Sequence, residues 1–285
     1  MSKIAVLTDS GSGLNLEDTQ KLGIYLVPLM VHLDDQSYQD GVEIQIEEIL
    51  QALKDKKVPK TSTPLFKHIE DVILKIKEDG CEEIIAVPLS SGLSSTYQSI
   101  RLAASEHDID CHIVETHSTC MLQTHLVSIA KLLIDENLSS LDIVERLQAV
   151  ADQANTLILP NDLDYLKQGG RLTPLAASLA NMFKIKPVLQ LNKSSQGRID
   201  VLAKVRTERK ALEYVLDALT NKINENVHVY LIHSDALSRV LEAKTLLLSR
   251  GVQEAQISIH HIAPVISSHT GLDCIGIQVV ENGNV

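Results

Sequence analysis

IIAVPLSSGLSSTYQSIRLA, residues Ile84–Ala103, passes from an apolar run (Ile84–Val87) through a hydroxyl-rich turn into an amphipathic helix. That is the grammar of one βα unit in an open sheet. Ser95 and Gln98 have the S-x-x-Q spacing of a capping box, so Ser95 is the expected N-cap. Cap duty would occupy Ser95 and leave Ser90, Ser91 and Ser94 without a structural partner. A helix start presents unpaired N–H groups and the positive end of the helix dipole, which together favour a carboxylate or phosphate. The alternative is an ordinary capped turn with no ligand.

Working outward, the same grammar recurs. Upstream, Lys3–Leu7 is a short apolar strand ending in Thr8, Asp9 and Ser10, and Asn15 is placed to cap a brief helix. Ile24–Leu33 reads as one strand interrupted by Pro28, which suggests a sheet edge. Asp34–Gly41 reads as a turn and Ile46–Lys56 as an amphipathic helix. Thr63 followed by Pro64 is a helix-start signal, giving a second helix mouth with Thr61 and Ser62 as surplus hydroxyls. Downstream come a strand at Cys111–Glu115, a polar turn, and helices over Thr124–Leu133 and Leu141–Ala154. Alternation of this kind predicts a largely parallel sheet with ligands at the carboxyl ends of its strands.

Near Thr156 the pattern changes. A strand at Thr156–Pro160 leads to a short helix, Leu163–Gln168, closed by Gly169 and Gly170. Thr173 and Pro174 start a helix expected to reach Met182. Pro187–Leu191 and Ile199–Val205 read as a hairpin, followed by a helix over Glu208–Ile223. Strands at Val227–Ser234, Ile257–Ile262 and Cys274–Val280 complete the region, with a helix at Leu237–Arg250 between the first two. The expected fold is α/β in two domains: 1–155, mainly a parallel sheet, and 156–285, a smaller α+β domain, with the ligand site between them.

Composition narrows the function. Hydrophobic residues make up 44% of the 285, aromatics only 3%, and there is no Trp, so the core is aliphatic. A net charge of −11 with no basic stripe argues against nucleic acid. Four scattered cysteines without a C-x-x-C pair read as reduced thiols of a cytoplasmic protein, and no signal peptide or membrane span is visible. His112, His117 and His125 lack metal-ligand spacing. There is neither a P-loop nor a dinucleotide fingerprint, so no kinase working alone is indicated.

Thr61, Ser62, Ser94, Arg171, Arg206 and His269 all fall at turns or element ends. Hydroxyls with an Arg, or a protonated His, suit a carboxylate. The rival is a serine hydrolase. Gly92–Thr96 comes within one residue of G-x-S-x-G, and Ser94, His269 and Asp9 can be drawn as a triad, although Thr96 stands where the elbow needs glycine.

Six ordered motifs carry a resemblance: TDS (Thr8–Ser10), KTSTP (Lys60–Pro64), LSSGLSSTYQS (Leu89–Ser99), YLKQGGRL (Tyr165–Leu172), KVRTERKAL (Lys204–Leu212) and APVISSHTG (Ala263–Gly271). The chain resembles the DegV family of bacterial lipid carriers, the fatty acid-binding subunits of fatty acid kinase, over nearly its whole length. The resemblance implies a two-domain α/β protein that holds one long-chain fatty acid in an apolar tunnel, with its carboxylate at the domain junction. It places the head-group contacts at Thr61 with Ser62 beside it, Ser94 and His269, and links Arg171 and Arg206 to the head group or to the phosphoryl-transfer partner. It implies no catalysis by this chain alone and no cofactor besides the lipid. An ATP-binding kinase subunit would phosphorylate the carboxylate to acyl phosphate for phospholipid synthesis, and transient contact with a membrane surface is compatible with the same reading. The chain departs from the family pattern at Ser95, Ser267 and Asp273, and its Thr116–Leu126 turn lacks the usual glycines.

Overall fold

A computed structural model describes residues 3–161, 163–179, 185–220 and 224–281. The first half is built on four parallel strands: β1 (Ile4–Asp9), β2 (Tyr25–Val27), β6 (Glu83–Val87) and β7 (Asp110–Ile113), in the order β2-β1-β6-β7. Alternation along these strands buries both faces, as a parallel sheet requires. Ala5, Leu7, Ile84 and Ala86 pack under the helices Phe66–Glu78 and Thr96–Glu106. Val6, Ile85 and Val87 face the helices Met121–Asp135 and Ser140–Gln153. Asn15 caps the helix Leu16–Leu22 in a capping box with Asp18, as its position predicts.

The expected single strand Ile24–Leu33 is two strands in two sheets. β2 ends at Val27, and β3 (Met30–Leu33) turns away to pair antiparallel with β4 (Gln36–Gln39) and β5 (Lys60–Ser62). Pro28 has no N–H to continue the ladder, so the chain bends there. Leu29, in the bend, donates its N–H to Ser10 Oγ at 3.0 Å and accepts from Asp40 N–H at 2.8 Å. The turn expected at Asp34–Gly41 shrinks to two residues, because Asp34 takes the left-handed conformation (φ 55°) that a tight hairpin requires. The helix mouth expected at Thr63 is also displaced. Thr61 and Ser62 lie on β5, paired with Val31 and Met30, and the helix begins at Phe66 with Leu65 in the cap position and no side-chain cap bond.

The second half is a mixed six-stranded sheet of β8 (Asn155–Leu159), β9 (Lys186–Leu191), β10 (Asp200–Val205), β11 (Val227–Ser234), β12 (Ile257–His261) and β13 (Cys274–Glu281), ordered β10-β9-β8-β13-β11-β12. The hairpin read from Pro187–Val205 is present as the antiparallel pair β9–β10. Helices Glu208–Thr220 and Leu237–Ser249 cover one face through Leu212, Val215, Leu216, Val240 and Leu247. Thr173 caps the helix Pro174–Ser178 by accepting from Ala176 N–H; the expected extension of that helix to Met182, and of the helix Glu208–Thr220 to Ile223, lies outside the described residues.

Buried polar contacts join the halves. Gln278 on β13 donates to Thr119 O at 2.8 Å and Thr156 Oγ1 at 3.0 Å, and accepts from Leu122 N–H. Ser90 Oγ donates to Gly197 O at 2.8 Å, where the β9–β10 turn sits on the turn after β6. Gly197 adopts φ 64°, and a Cβ on Gly92 would lie 2.3 Å from the Gly197 oxygen. Only two glycines allow this approach.

Candidate ligand-binding site

The turns after β1 and β6 and the strand β5 meet two short helices of the second half, Asp164–Gly169 and Pro264–Thr270. Pro264 starts the latter at N1, where its missing N–H costs nothing. Gly170 closes the former in the left-handed conformation and delivers Arg171 to the junction. The result is an apolar slot of about 50 Å³ opening beside a larger chamber of about 420 Å³. Leu29, Leu89, Leu93, Leu166, Ile199 and Val265 line the slot. Thr61, Arg171 and His269 line both spaces and so form the neck between them.

Thr61 Oγ1 and His269 Nε2 share a hydrogen bond of 2.6 Å across 208 residues of sequence. Burial, with Arg171 adding to it, lowers the His269 pKa to about 4, so the ring is a neutral donor–acceptor at pH 7. A Cβ on Gly169 would sit 2.2 Å from His269 Nδ1, which makes that glycine a condition of the ring's position. Arg171 Nε donates to Leu93 O at 3.2 Å and Nη1 donates to Gly169 O, leaving Nη2 for an anion at the neck. Ser62 Oγ lies 2.9 Å from His32 Nε2 and lines the slot with Thr63.

Ser94 also lines the slot, but its role differs from the expected one. Ser95 stands at the N-cap of the helix Thr96–Glu106 without a side-chain cap bond and is exposed. Ser94 Oγ accepts from Thr96 N–H at 3.3 Å and lies 2.8 Å from Thr96 Oγ1. Ser90, expected to be free, is bonded to Gly197 and Gly92. Adjacent serines offer one spacing to several caps, and geometry chooses among them. Arg206 is exposed after β10 and lies outside the lining of either space. Sequence reading missed Leu29, Thr63 and Thr270. The break at Pro28 was the signal for Leu29. Thr270, whose buried Oγ1 has no partner, adjoined a residue already singled out.

The hydrogen bonds of the drawn triad do not form a relay. Ser94 bonds Thr96, His269 bonds Thr61, and Asp9 accepts from Gly11 N–H and Leu89 N–H at 2.9 Å each and from Gln123 Nε2 at 3.0 Å. Among the described residues no three His, Cys, Asp or Glu side chains are grouped to hold a metal.

A sequence profile described as "uncharacterised protein, DegV family" matches residues 3–282. The chain belongs to the DegV family. A DegV domain-containing protein of Halalkalibacterium halodurans is 31% identical over 282 residues, 98% of each chain. Among solved structures, a fatty acid-binding DegV family protein from Streptococcus agalactiae superposes with a TM-score of 0.90 at 26% identity, covering 99% of both chains. A DegV family protein from Thermus thermophilus, described by its fatty acid binding, gives 0.88 at 28% identity over 98% of this chain and 99% of that one. A stearic acid-binding protein from Eubacterium ventriosum gives 0.83 at 26% identity over 99% of each chain. The two-domain DegV architecture expected from the motifs is therefore the one observed. Within it, the neck of hydroxyls, neutral imidazole and guanidinium is suited chemically to a carboxylate, and the slot behind it to an alkyl chain.

Proposed function

We propose that this DegV protein binds a long-chain fatty acid and presents it to an ATP-binding kinase subunit, which phosphorylates the carboxylate to acyl phosphate. The observation that carries the reading is the neck: Thr61 and His269 joined at 2.6 Å, with Arg171 beside them, at the mouth of an apolar slot. The fatty acid binding of the Streptococcus agalactiae, Thermus thermophilus and Eubacterium ventriosum relatives supports it.

In this reading the carboxylate takes hydrogen bonds from Thr61, Ser94 and His269 and charge from Arg171, with Ser62 behind. The acyl chain enters by spreading Leu29, Leu93 and Leu166. Each buried methylene then contributes about 0.8 kcal/mol, so most of the affinity comes from the tail. Arg206, exposed and outside the slot, is left for the kinase subunit. The chain acts as a carrier in the cytoplasm, in keeping with four cysteines that form no disulfide, and supplies no catalysis itself. No described helix is long and apolar enough to cross a membrane.

Native mass spectrometry of the purified protein, then solvent extraction, tests the ligand. One fatty acid per chain is expected, and a protein that stays empty when offered fatty acids overturns the reading. Phosphorylation of the bound lipid only when an ATP-binding kinase subunit is added tests the second step.

A further inference from the structure

Asp40 is fully buried, and neither carboxylate oxygen makes a hydrogen bond of normal geometry, although the Ser10 hydroxyl and the Val265 N–H lie close to it. It lies just after β4, with its N–H on Leu29 O. Beside it Ser10 Oγ holds Leu29 N–H, and Asp9 holds Leu89 N–H. Two leucines of the slot thus hang by their backbones from Asp9, Ser10 and Asp40. On its other side Asp40 borders a cavity of about 250 Å³ where Asn15 and Gln45 from the first half face His261 and Pro264 from the second. Pro264 begins the helix that carries His269 and Thr270 at its far end.

The titratable groups facing Asp40 are few. Asp9 comes from β1. Cys120, at the start of the helix Met121–Asp135, is a neutral thiol whose pKa burial raises to about 11. Glu47 and His261 stand in the cavity wall, and the described lining includes no Lys or Arg. A buried carboxylate without a cation is stable only while it holds its proton. Burial, with repulsion from Asp9 adding to it and the Ser10 hydroxyl and Val265 N–H opposing it, raises the Asp40 pKa to about 7.

We propose that Asp40 is a proton-sensitive positioning residue: neutral, it holds Leu29 and the helix Pro264–Thr270 in the ligand-binding arrangement, and ionised, it loosens both. The inference rests on the slot being the fatty-acid site. Ionisation draws water or a counter-ion into the junction, and the change falls on Leu29 and on the helix bearing His269, whose first residue, Pro264, shares the cavity wall with Asp40. Release of the lipid is then favoured by a rise in pH.

The test is displacement of a fluorescent fatty acid from wild type, Asp40→Asn and Asp40→Glu across the neutral range, with ligand-free thermal unfolding measured in parallel. Wild-type Kd should rise about tenfold between about pH 6 and about pH 8, following the proton that ionisation removes. Asp40→Asn should hold its affinity within about twofold over that range, and Asp40→Glu should keep the wild-type slope. Ligand-free, the wild-type Tm should fall with pH more steeply than that of Asp40→Asn. Equal slopes for wild type and Asp40→Asn in both measurements overturn the proposal. If neither protein binds at any pH, the fatty-acid reading fails and the link to ligand fails with it, while the Tm slopes still decide whether Asp40 carries the proton.

Discussion

A hydroxyl shared between Thr61 and a neutral imidazole costs little to bury and still has a proton to offer. Thr61→Val removes that proton and leaves His269 Nε2 unpaired while keeping the side-chain volume. Fatty-acid affinity should drop about tenfold, equivalent to about 1.4 kcal/mol, in a displacement titration, and Thr61→Ser should retain most of it. Unchanged affinity in the valine variant would remove Thr61 from the site. Gly169 separates folding from binding more sharply. It ends a helix in an ordinary conformation, so alanine there gains up to about 1 kcal/mol of helix propensity. Its methyl group would still stand 2.2 Å from His269 Nδ1. Gly169→Ala should therefore keep its Tm within about 5 °C and lose fatty-acid affinity at least about tenfold. A variant that binds normally would show that the ring has room to move.

At the scale of elements, β11 and its neighbours concentrate histidines. His125 on the helix Met121–Asp135 lies 2.8 Å from Tyr230 OH, and His228 and His260 both lie 3.0 Å from Ser258 Oγ. Burial lowers the His125 pKa to about 4, and burial lowers those of His228 and His260 as well. A histidine depressed in the folded state binds its proton more readily unfolded. Its contribution to stability is complete above about pH 6.5 and is lost as pH falls towards the folded value near 4. Asp40 and Asp9, the latter raised to about 6, slope the other way, because stability there falls as pH rises from the ordinary carboxylate range. His125→Asn should accordingly reduce the loss of Tm between about pH 6.5 and about pH 4.5, and an unchanged slope would mean that His125 is protonated in the fold.

Much of this layer was legible in the sequence, since period-two apolar runs and helical stripes answer to local rules. Asn15, Thr173 and the β9–β10 hairpin stand where residue chemistry predicts. What escaped notice depended on distant partners. β5 is a strand rather than a helix mouth because β3 captures its backbone, and β3 is free to do so because Pro28 ends β2. Ser95 holds the N-cap position its spacing predicts, but the side-chain bond to Thr96 N–H comes from Ser94, because spacing cannot rank the two hydroxyls. The candidate site was read as a set of residues, and its defining contact, Thr61 to His269, spans too much chain for any local pattern to announce.

For the whole molecule, the seam between halves is held by close backbone approach as well as polar bonds. Gly92→Ala would push a methyl group to 2.3 Å from a backbone oxygen that cannot rotate away. It should cost roughly 3 kcal/mol, within the range of overpacked contacts. Gly251→Ala, at φ 89° with nothing within 4 Å, should cost only about 1–2 kcal/mol, the strain of the left-handed conformation. Urea midpoints compare the two, and equal losses would mean that the seam yields. The span between Thr61 and His269 also bears on synthesis. A nascent chain folds its leading domain first, yet the neck has no imidazole until residue 269 has left the ribosome. Truncated products that stop short of that point would lack the Thr61–His269 neck, so on the proposed reading a fatty acid can be held only once both halves have been made.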